Sequence, residues 1–482
     1  MRSPDPPITR SPDSSFPLGT DGWRGIIAEG CTFEAIRRLA GAVARVWAGR
    51  PRGDTSRIVV GHDTRFFSPE FAAAAAEVLA ASGIDVLLTD RPIPTPAVSY
   101  HVRRLALAGG VAITASHNPA IYNGFKLKAE YGGSASPELY GEVDRESRAE
   151  GPDRGAASPG RVERHDLAGP YREALAGLVD LPAIRRAGLT VLADAMHGAA
   201  GNLPAEITGP GATRVLPFRA ERDVLFGGVH PEPIAANLKA AAARVRETGC
   251  DLAVACDGDA DRLGVLDRRG DFVSPHRVLA LLLLHAFRRR GLSGGVARTF
   301  STSLLIDRIC EKLGVPLHET AIGFKYVADL MNSGRAVAGG EESGGYAFAF
   351  HLPERDGVLN ALLLIESLAV ERRDLDAALA ALSSEFGDFA YARRDIRAPV
   401  GEIRTFLDDV IRNPATMIGG ERVTAVSDKD GVKYAFGGRG WLLHRLSGTE
   451  PLIRLYCEHE EAVKVEEILD AAVGRLRAFA SK

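Results

Sequence analysis

From Phe16 onward, short apolar runs alternate with amphipathic stretches. Residues 57–61, 84–88 and 108–113 are brief, largely branched apolar runs that read as buried strands. Residues 71–81 between them are Ala-rich and read as a helix. Strand, helix, strand in repetition predicts a parallel sheet with helical crossovers. Residues 145–166 break the pattern with charges, Gly, Pro, Ala and Ser, a linker composition. A second unit follows, with strands at 189–193 and 252–255 and a helix at 235–247. A third begins near Ser274, with helices at 277–290 and 303–313 and a strand at 336–338. After a helix at 375–385 the texture changes. Closely spaced strands at 422–426, 433–436, 441–446 and 452–457 precede a last helix at 461–479, which predicts a smaller α+β domain. The expected division is a disordered tail over 1–15, α/β domains over 16–155, 165–273 and 274–388, and an α+β domain over 392–482. Several strands end in polar or glycine-rich loops. Ligands gather at the carboxyl ends of such strands, so these loops are expected to share one cleft.

Composition narrows the class. With 482 residues, 45% hydrophobic and 25% charged, the chain is neither disordered throughout nor a coiled coil or small disulfide scaffold. Its most apolar run, residues 278–284, is far short of the roughly 20 residues that span a bilayer. The beginning is rich in Pro, Ser and Asp and lacks the apolar core of a signal peptide, so a cytoplasmic protein without a membrane partner is expected. Five cysteines without metal-type spacing fit reduced thiols. A net charge of −3 argues against a nucleic-acid partner.

Four loops carry candidate chemistry. In Thr114-Ala-Ser116-His117-Asn-Pro119, a post-strand hydroxyl beside His and Asn has the makings of an activated nucleophile, although a plain polar turn would look similar. In Asp257-Gly-Asp259-Ala-Asp261-Arg262, carboxylates at i, i+2 and i+4 cannot share a helix face, but an extended turn aims all three at one point. Their repulsion calls for a hard divalent cation, and oxygen ligation suits Mg²⁺. An EF-hand is excluded because its sixth and twelfth positions would be Arg262 and Arg268. Gly340-Glu341-Glu342-Ser343-Gly344 offers acids and a hydroxyl to sugar hydroxyls, with Lys325 upstream in Ile322-Gly-Phe-Lys325. In Arg445-Leu-Ser447-Gly448-Thr449-Glu450-Pro451, an Arg, backbone amides and two hydroxyls make a phosphate cradle. Sugar-phosphate transfer needs all four parts, since phosphoryl transfer is mostly positioning and charge neutralisation.

At these motifs the chain resembles the α-D-phosphohexomutase superfamily from about Leu18 to its end, with further matches at Gly19-Thr-Asp-Gly-Trp-Arg24-Gly and Gly61-His-Asp-Thr-Arg65. The resemblance implies an α/β protein of three similar α/β domains with mixed or parallel sheets and a smaller α+β domain around a central cleft. It implies that Ser116 is a phosphoserine whose phosphate, with Asp257, Asp259 and Asp261, ligates Mg²⁺. Arg24 and Arg262 would touch the phosphoserine, and Lys126 and His117 would assist proton transfer. Glu341 and Ser343 would grip sugar hydroxyls, while Lys325, Arg445, Ser447, Gly448 and Thr449 would hold the non-reacting phosphate. Within the superfamily, Glu341-Glu342-Ser343 is similar to phosphoglucomutases, where others carry Gln or Met second; Gly323-Phe-Lys325 and residues 351–357 lean the same way. Leu446 departs from the small residue or Pro common at its position. The expected reaction is α-D-glucose 1-phosphate to glucose 6-phosphate through glucose 1,6-bisphosphate, by a monomer or homodimer acting on small hexose phosphates. Phosphomannomutase, the dual enzyme and phosphoglucosamine mutase are alternatives. A Mg²⁺-dependent phosphatase is the rival class. Its D-x-D-x-[TV] pattern begins like Asp257-Gly-Asp259, but it puts Asp261 at the Thr/Val position and leaves the Ser116 and Ser447 loops without a role.

Overall fold

The apolar runs assemble into four main sheets and one small hairpin. The computed structural model describes residues 21–48, 56–148, 158–447 and 451–480; the expected tail at 1–15 lies outside the described residues, as do Gly448 and Thr449. In the first sheet Arg57–His62 lies parallel between Asp85–Thr89 and Gly109–Ile113. Tyr122–Ala129 and Trp23–Ile26 then add antiparallel strands beside Gly109–Ile113. Val162–His165 closes the other edge, parallel to Asp85–Thr89. It falls within the stretch whose composition reads as a linker. All its side chains are exposed, so no alternation marked it, and main-chain pairing alone makes it a strand.

The second sheet runs Phe272–Val273, Leu263–Asp267, Leu252–Cys256, Thr190–Asp194, Arg214–Phe218. The third runs Leu317–Thr320, Val296–Thr299, Ala338–Gly340, Tyr346–Phe348. Both combine parallel and antiparallel neighbours. The fourth is antiparallel throughout: Ala390–Arg397, Leu452–His459, Gly440–Leu446, Val432–Ala435, Ala425–Ser427. The chain is thus an α/β protein with mixed sheets. Three expected elements shift. The helix read over 235–247 occupies Lys239–Thr248, and the strand read over 336–338 occupies Ala338–Gly340. The run 422–426 divides between a hairpin strand, Glu421–Arg422, and an edge strand, Ala425–Ser427.

Helix Gly357–Glu371 has no counterpart in the sequence pattern. Its residues 357–368 are buried on every side, so no polar face sets an amphipathic period. Asp356 caps it, accepting from the Leu359 N–H at 2.9 Å. The helix lies in a continuous core that runs from Val59 and Val98 through Val191 and Val254 to Leu279 and Leu382, joining the first three sheets. The fourth sheet has its own core around Phe406, Tyr434 and Ile468, bridged to the third by an aromatic cluster of Phe300, Trp441 and Tyr456. Among the described residues no helix is long and apolar enough to cross a membrane.

Candidate active site

Ser116 follows the buried strand Gly109–Ile113 and sits in the left-handed region, at φ 51°. A serine holds that conformation only where its surroundings enforce it. Arg65 does most of this. Its two terminal nitrogens donate to the carbonyls of Ser116 and Asn118, each at 2.6 Å, and of Pro119 and Tyr122 at 2.8 and 3.0 Å. Its Nε is 3.1 Å from Asp63, and its guanidinium lies 4.9 Å above the Phe226 ring centre. Thr114 Oγ1 accepts the Ser116 N–H at 2.8 Å and donates to Asp63 at 2.6 Å. The loop is therefore held from below by a fully buried guanidinium and carboxylate.

The aspartate loop follows the fully buried strand Leu252–Cys256. Its Asp257 Oδ2 accepts from Ser116 Oγ at 3.0 Å. Contact this close requires Gly258, because a Cβ there would lie 2.5 Å from the Ser116 carbonyl oxygen. Asp257 Oδ1 accepts the N–H groups of Asp261 and Arg262 at 2.9 and 3.0 Å, which folds the loop into a tight turn. One carboxylate oxygen from each of Asp257, Asp259 and Asp261 lies within 4.8 Å of the others, and all three residues are fully buried. Burial and the two neighbouring carboxylates push Asp257 well above the usual carboxylate range. Among the described residues, Asp259 Oδ1 and Asp261 Oδ1 are buried without a hydrogen-bond partner. Buried, unpaired anionic oxygens are costly, and an all-oxygen donor set of this charge suits Mg²⁺.

Cations surround the triad. Lys126, on Tyr122–Ala129, places Nζ 2.8 Å from Asp259, 3.2 Å from Asp261 and 2.8 Å from Asp21. Burial disfavours its charge, but these carboxylates prevail and raise its pKa. Thr95 Oγ1 donates to Asp259 at 2.7 Å. Arg24 donates to Asn118 of the serine loop, and Arg262 meets Glu232 at 3.4 Å. His117 Nδ1 lies 3.3 Å from Ser116 Oγ. Burial first, then Arg262, Arg24 and Lys126, hold its imidazole well below its usual pKa and so neutral.

The acidic loop of the third sheet joins from the other side. The Leu263 N–H donates to the Gly344 carbonyl at 2.9 Å, tying this loop to the strand after the aspartates. Glu341 is buried and pushed up to about 7, an effect Arg355 at 3.5 Å partly offsets. Glu342 accepts from Ser301 Oγ at 2.6 Å. Ser343 is half-buried in the same turn. Lys325 stands at the start of helix Phe324–Asn332, its Nζ 5.0 Å from the Tyr326 ring centre. Arg445 donates from Nε to Asp430 at 2.9 Å, and the Ser447 N–H donates to the Leu452 carbonyl at 2.9 Å. Ser116, His117, Lys126, Arg24, Arg262 and the aspartates thus form one cluster. Glu341 reaches it through Arg355. Lys325 stands on a helix beside the third sheet, and Arg445 and Ser447 at the end of strand Gly440–Leu446 in the fourth.

Three participants were not singled out by the sequence reading. Arg65 appeared in a matched motif without a role, yet it carries the serine loop. Thr95 follows a Pro in an unremarkable stretch. Arg355 spans the site, donating to Asp21 at 2.6 Å and to Asp261 at 2.7 Å. Its signal was an Arg between two acids, Glu354 and Asp356, just before a buried helix.

Profiles described as phosphoglucomutase/phosphomannomutase α/β/α domains I, II and III and C-terminal domain match residues 17–152, 169–270, 274–386 and 402–474. A phosphoglucomutase/phosphomannomutase of Thermococcus kodakarensis is 30% identical over 461 residues, spanning 95% of this chain and 97% of the relative. A phosphoglucosamine mutase of Novosphingobium aromaticivorans is 32% identical over 479 residues, spanning 96% and 99%. The crystal structure of a Thermus thermophilus protein, provisionally named a phosphomannomutase, superposes with a TM-score of 0.84 at 36% identity, covering 96% of this chain and 99% of that one.

Proposed function

Since the chain belongs to the phosphoglucomutase/phosphomannomutase family and is a phosphohexomutase, we propose that it interconverts α-D-glucose 1-phosphate and glucose 6-phosphate through a phosphorylated Ser116. The observation that carries this reading is the 3.0 Å contact between Ser116 Oγ and Asp257, in a loop held left-handed beside the aspartate triad. In each half-reaction the bond from phosphorus to one oxygen breaks as the bond to the other forms. The free sugar hydroxyl attacks phosphoserine 116 and gives up its proton, and the serine oxygen regains one. Neutral His117, 3.3 Å from Ser116 Oγ, is placed to carry these protons, and charged Lys126, 2.8 Å from Asp259, assists from beside the triad. The product of this step, glucose 1,6-bisphosphate, turns over and returns its other phosphoryl group to Ser116. Asp257, Asp259 and Asp261 would hold Mg²⁺, which would supply charge neutralisation to the transferring group. Arg24 and Arg262 add fixed positive charge, and the burial of Ser116 and the triad keeps water from the phosphoserine. Glu341 and Ser343 hold the sugar hydroxyls. Lys325, Arg445, Ser447, Gly448 and Thr449 hold the phosphate that does not react.

The glucose assignment rests on Glu341-Glu342-Ser343. The name of the Thermococcus kodakarensis relative favours a second reading, in which mannose 1-phosphate is also accepted. Rates on glucose, mannose and glucosamine 1-phosphates, measured side by side with Mg²⁺ and a hexose bisphosphate activator, decide between them. Glucose 1-phosphate is expected to be fastest. Ser116→Ala is expected to lose mutase activity by about a thousandfold or more, and the wild-type Ser116 peptide to carry about 80 Da of added mass. Phosphate release without isomer formation would instead establish the phosphatase.

A further inference from the structure

The residues assigned above to the non-reacting phosphate come from two domains that need a common reference. Lys325 belongs to the third and Arg445 to the fourth, and neither touches the other's sheet through its own strand pairing. One side chain connects them. Asp430, in the turn between Ala425–Ser427 and Val432–Ala435, accepts from Arg445 Nε at 2.9 Å with one carboxylate oxygen. With the other it accepts the backbone N–H of Ile322 at 2.7 Å. Ile322 opens the Ile322-Gly-Phe-Lys325 segment that delivers Lys325 to its helix.

The surrounding turn is shaped by its glycine and meets the third domain at two further points. Gly431, at φ 90°, lets the turn lie flat against the strand carrying Arg445; a Cβ at 431 would fall 2.2 Å from the His444 carbonyl oxygen. Lys429 donates to the Glu319 carbonyl at 3.0 Å, and Lys433 to the Phe300 carbonyl at 2.7 Å. The Asp430 contact is thus flanked on both sides by donors that dock the same turn on the third domain.

We propose that Asp430 is a positioning residue for phosphate recognition, fixing the Arg445 guanidinium and the Lys325 segment in one frame so that both address a single phosphate. With Nε engaged by Asp430, the two terminal nitrogens of Arg445 are the pair this proposal assigns to the anion, since a guanidinium binds phosphate strongly through two parallel N–H groups. The carboxylate acts through Arg445 and the Ile322 N–H and does not itself meet the ligand.

This inference rests on the phosphohexomutase reading, and the test keeps the two apart. Full-length wild type, Asp430→Ala, Asp430→Asn and Lys429→Ala are assayed with kcat and KM separated, on whichever hexose 1-phosphate wild type turns over fastest. Asp430→Ala is expected to raise KM about tenfold with a smaller change in kcat, since misplaced binding groups weaken the hold on substrate. Asp430→Asn, which keeps an acceptor for Ile322, should recover part of the loss. Lys429→Ala, which removes a neighbouring dock without touching Arg445, should stay within about twofold of wild type. An Asp430→Ala variant with unchanged KM overturns the proposal, as does one whose loss Lys429→Ala matches. If wild type isomerises none of the hexose 1-phosphates, the functional reading fails instead. Calorimetric titration with inorganic phosphate in EDTA then still decides on Asp430: weaker binding by the alanine variant supports the proposal, and equal binding overturns it.

Discussion

At the scale of single residues, the Ser116 loop depends on a side chain buried beneath it. Arg65 spends its two terminal nitrogens on four carbonyls of the Ser116 loop, a task for a planar fork. Arg65→Lys keeps the charge and loses the fork. It is expected to lower kcat by about a hundredfold, as small displacements of reacting groups do, with KM changed far less; steady-state kinetics separate the two. His444 gives a prediction about pH. Its imidazole is buried beside Tyr434 and held down at about 4, by burial first and by the charge of Arg475 second. An unfolded histidine takes up its proton near pH 6.5. The folded pKa being the lower, the unfolded state binds the extra proton between about 6.5 and 4, and stability present above that window is lost as pH falls through it. The slope approaches about 1.4 kcal/mol per pH unit. Urea midpoints at pH 7 and pH 5 should therefore drop more in wild type than in His444→Phe; equal drops would falsify the assignment.

Among elements, helix Gly357–Glu371 and the aspartate turn work as one part. The Gly357 N–H donates to the Ala260 carbonyl at 2.9 Å, so the N-terminus of this buried helix is seated on the aspartate loop. Leu362, fully buried in that helix, anchors it in the core shared by three sheets. Leu362→Ala is expected to cost about 2–5 kcal/mol, read as a lower thermal midpoint. Gly258→Ala tests the opposite face of the same loop. Its Cβ would press on the Ser116 carbonyl at 2.5 Å, so the two loops must part. A folded variant with kcat reduced at least about tenfold and less phosphate on Ser116 is the expected result.

For the whole molecule, the distribution of cores predicts how it comes apart. The first three sheets share one apolar cluster, whereas the fourth has its own and meets the third through a small aromatic bridge. Scanning calorimetry should resolve two transitions, the fourth domain unfolding separately from a body of three. Within that body, Glu354 sits next to Arg355 in sequence but reaches the first domain, where Lys128 meets it at 2.5 Å with both side chains fully buried. Consecutive residues of one loop thus grip the first domain and the active site. Glu354→Ala strands a buried ammonium and is expected to lower the stability of the body by about 3–5 kcal/mol, with the fourth-domain transition unmoved.

The elements named from the chain alone kept their order and kind, and the four loops stood out, because strand burial, helix periodicity and short-range motif spacing are local properties. Ser116 beside His117, or Asp257, Asp259 and Asp261 in one turn, needs no knowledge of distant neighbours. Helix Gly357–Glu371 and strand Val162–His165 escaped for opposite reasons: one is apolar on all sides and the other exposed on all sides, so neither has a face to betray its period. Arg65, Thr95 and Arg355 escaped because their meaning lies in partners tens to hundreds of positions away, such as Asp259 for Thr95 and Asp21 for Arg355. Local sequence sets what each segment tends to become. Which segments meet is decided by the burial of their combined apolar surface, a sum over the whole chain that no single stretch contains.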